Sequence, residues 1–157
     1  MDSHKVRWAP DAARDIIRAH ATVEGPLLPI LQAMQEQFGF ISPEAERLIA
    51  EELNLSRADI HGVVSFYHDF RHEPAGRHVL KLCRAEACQA VGSEAQAQHL
   101  LNALGLGWGG TTADGRLTVE AVYCLGLCAT APAALLDETP YGRLDGAALE
   151  ALVREAV

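Results

Sequence analysis

The sequence lacks the features that mark a membrane protein or a nucleic-acid-binding protein. No apolar run approaches the ~20 residues that span a bilayer, and the N-terminus has no apolar stretch of the signal-peptide type. The net charge is -8, and no cluster of Lys and Arg is present. We therefore expect no nucleic-acid partner and no membrane insertion. The expected location is the cytoplasm or its membrane face, or the matrix side of an organelle if an import sequence has been removed.

Low-complexity tracts and clear repeats are also absent, which argues against a disordered or repetitive chain. Hydrophobic residues make up 49% and charged residues 22% of the 157 residues. This composition is typical of globular proteins, and the length suits one ordinary domain or two small ones.

Apolar residues recur at helical spacing through the first half of the chain and predict a helical bundle over residues 1–75. The expected helices span 11–23, 26–38, 43–53 and 56–70. Ser42 and Ser56 are the expected N-caps of the third and fourth helices, and Gly39 is the expected stop of the second. We expect Phe66, Tyr67 and Phe70 in the core of the fourth helix.

The pattern changes period near residue 76 and predicts a small α/β domain over residues 76–157. The expected elements are strands at 78–82, 117–123 and 133–137, helices at 93–104 and 146–157, and a turn at 140–142. The chain as a whole is therefore expected to be an α+β protein in two parts.

Only four cysteines are present, and they form two pairs. Cys83 and Cys88 have four residues between them, Cys124 and Cys128 have three, and 35 residues separate the pairs. Each pair begins where a predicted strand ends, which is a common place for functional loops in α/β sheets. Four thiolates on two such loops suit one soft metal centre.

The spacing of the cysteines alone leaves three interpretations open. Structural zinc sites usually hold two residues between paired cysteines, whereas these longer loops favour an iron-sulfur cluster. Two disulfides are a further alternative, although a small number of cysteines in a cytoplasmic chain indicates a metal or redox site first. Small residues beside the pairs, including Ala85 and Gly126, allow main-chain N–H groups to approach the negative charge of a cluster.

Five sequence segments together resemble a known family. They are Phe38-Gly-Phe-Ile-Ser-Pro, Gly62-Val-Val-Ser-Phe-Tyr-His-Asp-Phe, the Cys-x4-Cys motif, Thr111-Thr-Ala-Asp-Gly-Arg-Leu-Thr-Val-Glu and Cys124-Leu-Gly-x-Cys-x-x-Ala-Pro. This pattern is similar to the thioredoxin-like 2Fe-2S ferredoxin subunits of NADH-linked dehydrogenases. The family includes the 24 kDa-type subunit of respiratory complex I, the gamma subunit of NAD-dependent formate dehydrogenase and subunits of NAD-reducing hydrogenases.

The resemblance implies a thioredoxin-like second domain and one 2Fe-2S cluster bound by Cys83, Cys88, Cys124 and Cys128. It also implies a partner, the flavoprotein subunit that binds FMN and NAD(H), with which the cluster exchanges single electrons. The chain alone would not be a complete enzyme. The residues Arg-Ala-Glu-Ala between Cys83 and Cys88 are most similar to those of formate dehydrogenase gamma subunits, so we expect that complex, with complex I or a hydrogenase as alternatives.

Three further features have ordinary structural interpretations. Gly105-Leu-Gly-Trp-Gly-Gly110 matches the dinucleotide fingerprint but follows a predicted helix instead of a strand, so we expect a helix stop and a loop. His61, His68 and His72 have helical spacing but no accompanying acidic ligand pattern, so we expect surface or interface histidines. Glu44, Glu46, Glu51 and Glu52 are expected to form a solvated face.

Overall fold

The structure of the chain, a computed structural model, describes residues 7–156. The chain divides into two compact units, one ending at Pro74 and the other beginning at Ala75. None of the helices in this described part of the chain is long and apolar enough to cross a membrane. The first unit contains four helices and the second a four-stranded mixed sheet with three helices, so the expected α+β architecture is confirmed.

The helices of the first unit follow the predicted order. They are α1 (Pro10–His20), α2 (Leu27–Phe38), α3 (Pro43–Leu53) and α4 (Arg57–Phe66). Their apolar faces form one core that includes Ile30, Leu31, Met34, Ile49, Ile60 and Val64. Burial of these stripes, more than intrinsic propensity, stabilises helices of this length.

Local capping signals fix where two of these helices begin. The Ser42 side chain accepts a hydrogen bond from the Ala45 main-chain N–H at 3.1 Å, and Ser56 forms a reciprocal capping box with Asp59. Both predicted N-caps are confirmed, because each hydroxyl satisfies a main-chain donor that the helix itself leaves without a partner.

Three sequence predictions in this unit are wrong in detail. Helix α4 ends at Phe66 instead of extending to residue 70, since Tyr67 has extended backbone angles. Phe66 is 72% exposed and Tyr67 is 43% exposed, so only Phe70 of the three aromatic residues is buried. Glu46 is buried instead of solvated, because its position on α3 lies on the inward face beside buried Ala45.

The second unit is built on a sheet with strand order β2-β1-β3-β4. The strands are β1 (His78–Cys83), β2 (Leu117–Val122), β3 (Ala134–Leu136) and β4 (Thr139–Tyr141). Strands β1 and β2 are parallel, and the other two pairings are antiparallel. The helices are α5 (Glu86–Ala90), α6 (Ser93–Leu104) and α7 (Gly146–Ala156). Leu80, Leu117 and Val119 of the two parallel strands lie fully buried between sheet and helices.

Two elements of this unit differ from the prediction. The segment expected to be a turn at 140–142 forms strand β4, in which Pro140 is opposite Leu135 of β3. Proline is compatible with this position because β4 lies at the edge of the sheet, where one side of the strand needs no N–H donor. The short helix α5 inside the first cysteine loop was not predicted.

The glycine-rich segment Gly105–Gly110 behaves as its sequence context predicts. It follows α6, with Gly105 at the C-cap, and it leads into an antiparallel bridge between Thr111 and Thr118 instead of a helix. The segment therefore lacks the strand-turn-helix context of a dinucleotide site, and that expectation is confirmed.

Candidate metal centre

The two cysteine loops begin at the same edge of the sheet. Strands β1 and β2 are parallel, and their register places Cys83 directly opposite Val122, two residues before Cys124. The Arg84 N–H donates to the Val122 carbonyl at 2.8 Å, and this bond continues the pairing one residue past the end of β1. The sequence prediction that both pairs begin at strand ends is confirmed.

The first loop carries its cysteines into the interior. After Cys83 the chain turns into α5, which returns Cys88 toward the sheet, and the exposed fractions of the two residues are 4% and 2%. Both pack with buried Ala133, the residue whose carbonyl accepts a hydrogen bond from the Cys83 N–H at 3.1 Å. Apolar packing thus surrounds these two thiols.

The second loop holds its cysteines at the surface. Cys124 and Cys128 are both exposed, and their sulfur atoms lie 3.6 Å apart. The Gly126 N–H donates to the Cys124 sulfur at 3.3 Å. Cys124 has a φ of 87°, a conformation that costs a residue with a side chain of order 1–3 kcal/mol and often occurs at functional sites.

Groups of both loops determine the pKa of the Cys83 thiol. Burial raises this pKa, but the Ala85 N–H, the Cys88 thiol and the N–H groups of Cys124 and Leu125 together outweigh burial, so the pKa lies below its ordinary value. The second loop therefore favours the thiolate form of Cys83 in the first loop.

The pKa values of Cys88 and Cys128 shift in the opposite direction from that of Cys83. The pKa of Cys88 is raised by burial, by its hydrogen bond to Cys83 and by the charges of Cys83 and Cys128. The pKa of Cys128 is raised chiefly by its hydrogen bond to Cys124 and by the charge of that residue. Four thiols that influence one another in this way share one electrostatic neighbourhood, and a bound cation would relieve their repulsion.

The spacing within the outer pair fits metal binding. A tetrahedral ion with metal-sulfur bonds of about 2.3 Å separates two of its thiolate ligands by about 3.8 Å, close to the 3.6 Å between Cys124 and Cys128. Within residues 7–156 no group of three or more His, Cys, Asp or Glu side chains is placed so that it could hold a metal ion. In a two-iron cluster two protein ligands serve each iron, and the two cysteine pairs match that requirement.

The main-chain donors show what the sequence conveyed and what it did not. Gly126, which is expected to allow close main-chain approach, donates to the Cys124 sulfur. Ala85, expected to do the same, has an N–H group that lowers the pKa of Cys83. The donors at Cys124 and Leu125 were not predicted. No sequence pattern marks them, because their role depends on the folding of the second loop over Cys83.

The histidines of the first unit lie in a different arrangement. His61 Nδ1 is 3.1 Å from Glu46 Oε1, and the rings of His61 and His72 lie 5.8 Å apart. His68 is exposed. The acidic neighbour Glu46 was missed, since it is 15 residues away in the sequence and lies on another helix.

A comparison with protein families places these cysteines in a known context. The model of the thioredoxin-like [2Fe-2S] ferredoxin family matches residues 13–157, a range that includes all four cysteines.

Curated relatives match most of the chain. It is 39% identical over 127 residues to an NADH-quinone oxidoreductase subunit of Pseudomonas aeruginosa, covering 78% of this chain and 76% of the relative. It is 35% identical over 128 residues to NADH-quinone oxidoreductase subunit 2 of Thermus thermophilus, covering 81% and 71%. NADP-reducing hydrogenase subunit HndA of Solidesulfovibrio fructosivorans is 30% identical over 132 residues, with coverage of 84% and 77%.

A solved structure has a similar fold. A chain of the NAD+-reducing [NiFe]-hydrogenase in its air-oxidized state is 27% identical with a TM-score of 0.62, and the match covers 98% of the present chain. It covers 24% of the hydrogenase chain, so the protein spans about a quarter of that larger polypeptide.

Proposed function

The chain belongs to the thioredoxin-like 2Fe-2S ferredoxin family, and on that premise we propose that it is the electron-transfer subunit of an NAD-linked dehydrogenase. The family carries one 2Fe-2S cluster. In this chain the proposed ligands are Cys83, Cys88, Cys124 and Cys128. The observation that carries the proposal is the convergence of both cysteine loops at one sheet edge, where Cys83 lies opposite Val122, two residues before Cys124.

Each part of the site has a distinct role in this proposal. The cluster, when bound, accepts and donates one electron at a time. Cys83 and Cys88 hold it from the buried side, where packing against Ala133 limits the access of water. The N–H groups of Ala85, Cys124 and Leu125 offset the negative charge at Cys83. Cys124 and Cys128 hold it from the exposed side, which is the side open to an electron-transfer partner.

The proposed partner is a flavoprotein subunit that binds FMN and NAD(H). The relatives named above are subunits of NADH-quinone oxidoreductases and of an NADP-reducing hydrogenase, and their names support a place in such an assembly. FMN and NAD would then be bound by the partner and not by this chain. A cytoplasmic location is part of the proposal, because that compartment keeps cysteines reduced and therefore able to serve as cluster ligands.

We favour a formate dehydrogenase as the whole complex. The support is the sequence Arg84-Ala-Glu-Ala between the first two cysteines, which resembles the gamma subunits of those enzymes. The equivalent subunit of respiratory complex I and that of an NAD-reducing hydrogenase are the alternatives. Purification of the chain with its native neighbours separates them, since a formate-oxidising molybdenum subunit, a membrane arm or a nickel subunit would each identify one complex.

The cluster itself is tested on the purified full chain. We expect a reddish-brown protein whose visible absorbance falls on reduction with dithionite and whose reduced form gives a rhombic EPR signal at low temperature. Because all four ligands are thiolates, the midpoint potential should be low. A colourless protein holding one zinc ion would contradict the proposal and favour a zinc-stabilised interaction module.

A further inference from the structure

Arg84 directly follows Cys83, and its side chain lies in a fixed arrangement of polar and aromatic groups. Its Nε and one terminal nitrogen donate to the two carboxylate oxygens of Glu94 at 2.8 and 2.9 Å. The guanidinium carbon lies 4.7 Å from the ring centroid of Trp108. Such a two-point pair with stacking uses the planar shape of arginine, which lysine does not share.

We call the three side chains Arg84, Glu94 and Trp108 the Arg84 cluster.

The main chain of Arg84 contacts two further segments. Its N–H donates to Val122 at the end of β2, and its carbonyl accepts a hydrogen bond from Gln89 Nε2 in α5 at 2.6 Å. Side chain and main chain together therefore join the first cysteine loop, the start of α6 and the approach to the second cysteine loop.

The glycine-rich segment places Trp108 against this arginine. The Gly109 N–H donates to the Val119 carbonyl at 2.8 Å, and the Val119 N–H donates to the Gly110 carbonyl at 3.0 Å, so the segment pairs along β2. A Cβ at Gly110 would lie 2.9 Å from the Gly107 carbonyl oxygen, so a larger residue would displace the main chain. The segment has a structural role in holding Trp108, although its sequence matches a dinucleotide motif.

We propose that Arg84 is a positioning residue for the metal centre. The Arg84 cluster fixes the two cysteine loops relative to each other, and the Arg84–Glu94 ion pair balances charge beside the 2Fe-2S centre. The proposal rests on the proposed 2Fe-2S function. Reduction adds one negative charge to the cluster, so a nearby positive charge favours the reduced form and a nearby negative charge opposes it.

The two members of the pair therefore have opposite expected effects on the midpoint potential. Arg84→Met leaves the Glu94 carboxylate uncompensated and should lower the potential, whereas Glu94→Gln leaves the guanidinium uncompensated and should raise it. For a partly exposed charge near the cluster, each change should alter the equilibrium constant for reduction about three- to tenfold. The double variant should return toward the wild-type potential.

Positioning is tested separately with Arg84→Lys. This variant keeps the positive charge but loses the two-point pairing, so its potential should stay near that of the wild type while iron transfer to a chelator becomes faster. Arg84→Met should also lose iron faster. Both rates are measured on the cluster-loaded full chain by the decay of visible absorbance, and potentials are measured by redox titration followed by EPR.

Arg116→Met is the matched control. Arg116 pairs with Asp114 at 2.7 Å, just before β2 and therefore about 20 Å from the cysteine loops along the strand. At physiological ionic strength, most of the effect of the Arg116 charge is screened over that distance. The midpoint potential and the rate of iron loss of Arg116→Met should therefore match those of the wild type.

Two results would overturn the inference while the proposed function stands. One is that the wild-type chain binds the cluster but the midpoint potentials of Arg84→Met and Glu94→Gln both shift in the same direction from the wild-type value. The other is an Arg84→Lys protein that retains iron as long as the wild type. A wild-type chain that holds no cluster would instead overturn the proposed function, and the inference with it.

Discussion

The two ends of the parallel strand pair β1–β2 differ in which groups accept their hydrogen bonds. At the amino end, the Gly76 N–H donates to the Thr118 hydroxyl at 2.6 Å, and that hydroxyl lies 2.7 Å from the hydroxyl of Thr111. In the adjacent turn the Asp114 carboxylate accepts hydrogen bonds from the Thr112 hydroxyl and from Arg116. Here the chain satisfies its own polar groups.

The carboxyl end gathers hydrogen-bond donors onto sulfur atoms instead. The Cys124 sulfur accepts a hydrogen bond from the Gly126 N–H, and main-chain N–H groups of both loops lower the pKa of Cys83. Cys124 and Cys128 remain exposed, and Cys124 has an unfavourable backbone angle. One end of the strand pair therefore serves stability, whereas the other has properties that a metal centre requires.

The largest expected effect comes from changing ligands at the carboxyl end. Cys83→Ser should reduce the iron content from about two atoms per chain to none, because Cys83 is buried and is the sulfur on which the donors converge. Cys124→Ser should retain part of its iron but lose it faster than the wild type. The reason is that Cys124 is exposed, so the serine oxygen that replaces its sulfur is hydrated and the substitution disturbs the site less than one at buried Cys83. Iron analysis and visible absorbance measure both.

Far-UV circular dichroism provides the control for these variants. The helical unit has its own core, so its signal should persist in both proteins. Equal iron loss in the two variants would contradict the proposed difference between the buried and exposed pairs.

A second prediction concerns close packing at the amino end. A Cβ at Gly76 would lie 2.9 Å from the main-chain nitrogen of Leu117, and the paired strand leaves that atom little freedom to move. Gly76→Ala should therefore lower the free energy of unfolding by about 1–3 kcal/mol. Urea denaturation measures the change, and the folded protein should keep its cluster.

Gly146→Ala is the matched control for this prediction. A Cβ at Gly146 meets no atom within 4 Å, so the substitution should have a much smaller effect. Similar stability of the two variants would show that the amino end is less rigid than its hydrogen bonds indicate.

The smallest expected effect is a pH dependence at the amino-end turn. Hydrogen bonds from Thr112 and Arg116 hold the pKa of Asp114 well below its ordinary value of 3.8. A lowered pKa in the folded state stabilises the protein above the unfolded pKa, and this contribution is lost as the pH falls toward the folded pKa. The stability difference between wild type and Asp114→Asn should therefore shrink below about pH 4.

This pH dependence is measured by urea denaturation of the metal-free protein, so that acid release of iron does not contribute. The carboxylate is exposed, and we expect only a small change. A difference that grows as the pH falls would contradict the assignment of these hydrogen bonds to the ionised form.

Local signals in the sequence were sufficient for much of the fold. Ser42 before Pro43 and Ser56 before Asp59 located two helix starts, because an N-cap acts within one turn of the chain. The prediction failed where a residue's surroundings come from distant segments. Phe66 is exposed and Glu46 is buried, in contrast to what their residue types suggest.

In the sheet, too, local sequence signals were sufficient for some elements and not for others. The strands ending at the cysteines were predicted from alternation and apolar content, whereas β4 was interpreted as a turn because proline and glycine follow one another closely there. Only its antiparallel pairing with β3 at the sheet edge makes that segment a strand. The helix inside the first cysteine loop was too short for its periodicity to be recognised.

The sequence by itself determined the four thiols, their grouping into two pairs and their place at strand ends, because spacing and strand patterns are properties of neighbouring residues. The tertiary structure alone decided that Cys83 lies opposite Val122, that one pair is buried and the other exposed, and that the N–H groups of Cys124 and Leu125 lower the pKa of Cys83. It also placed Trp108 on Arg84. These features arise where segments far apart in the chain meet, and hydrogen bonding and burial depend on that meeting in space.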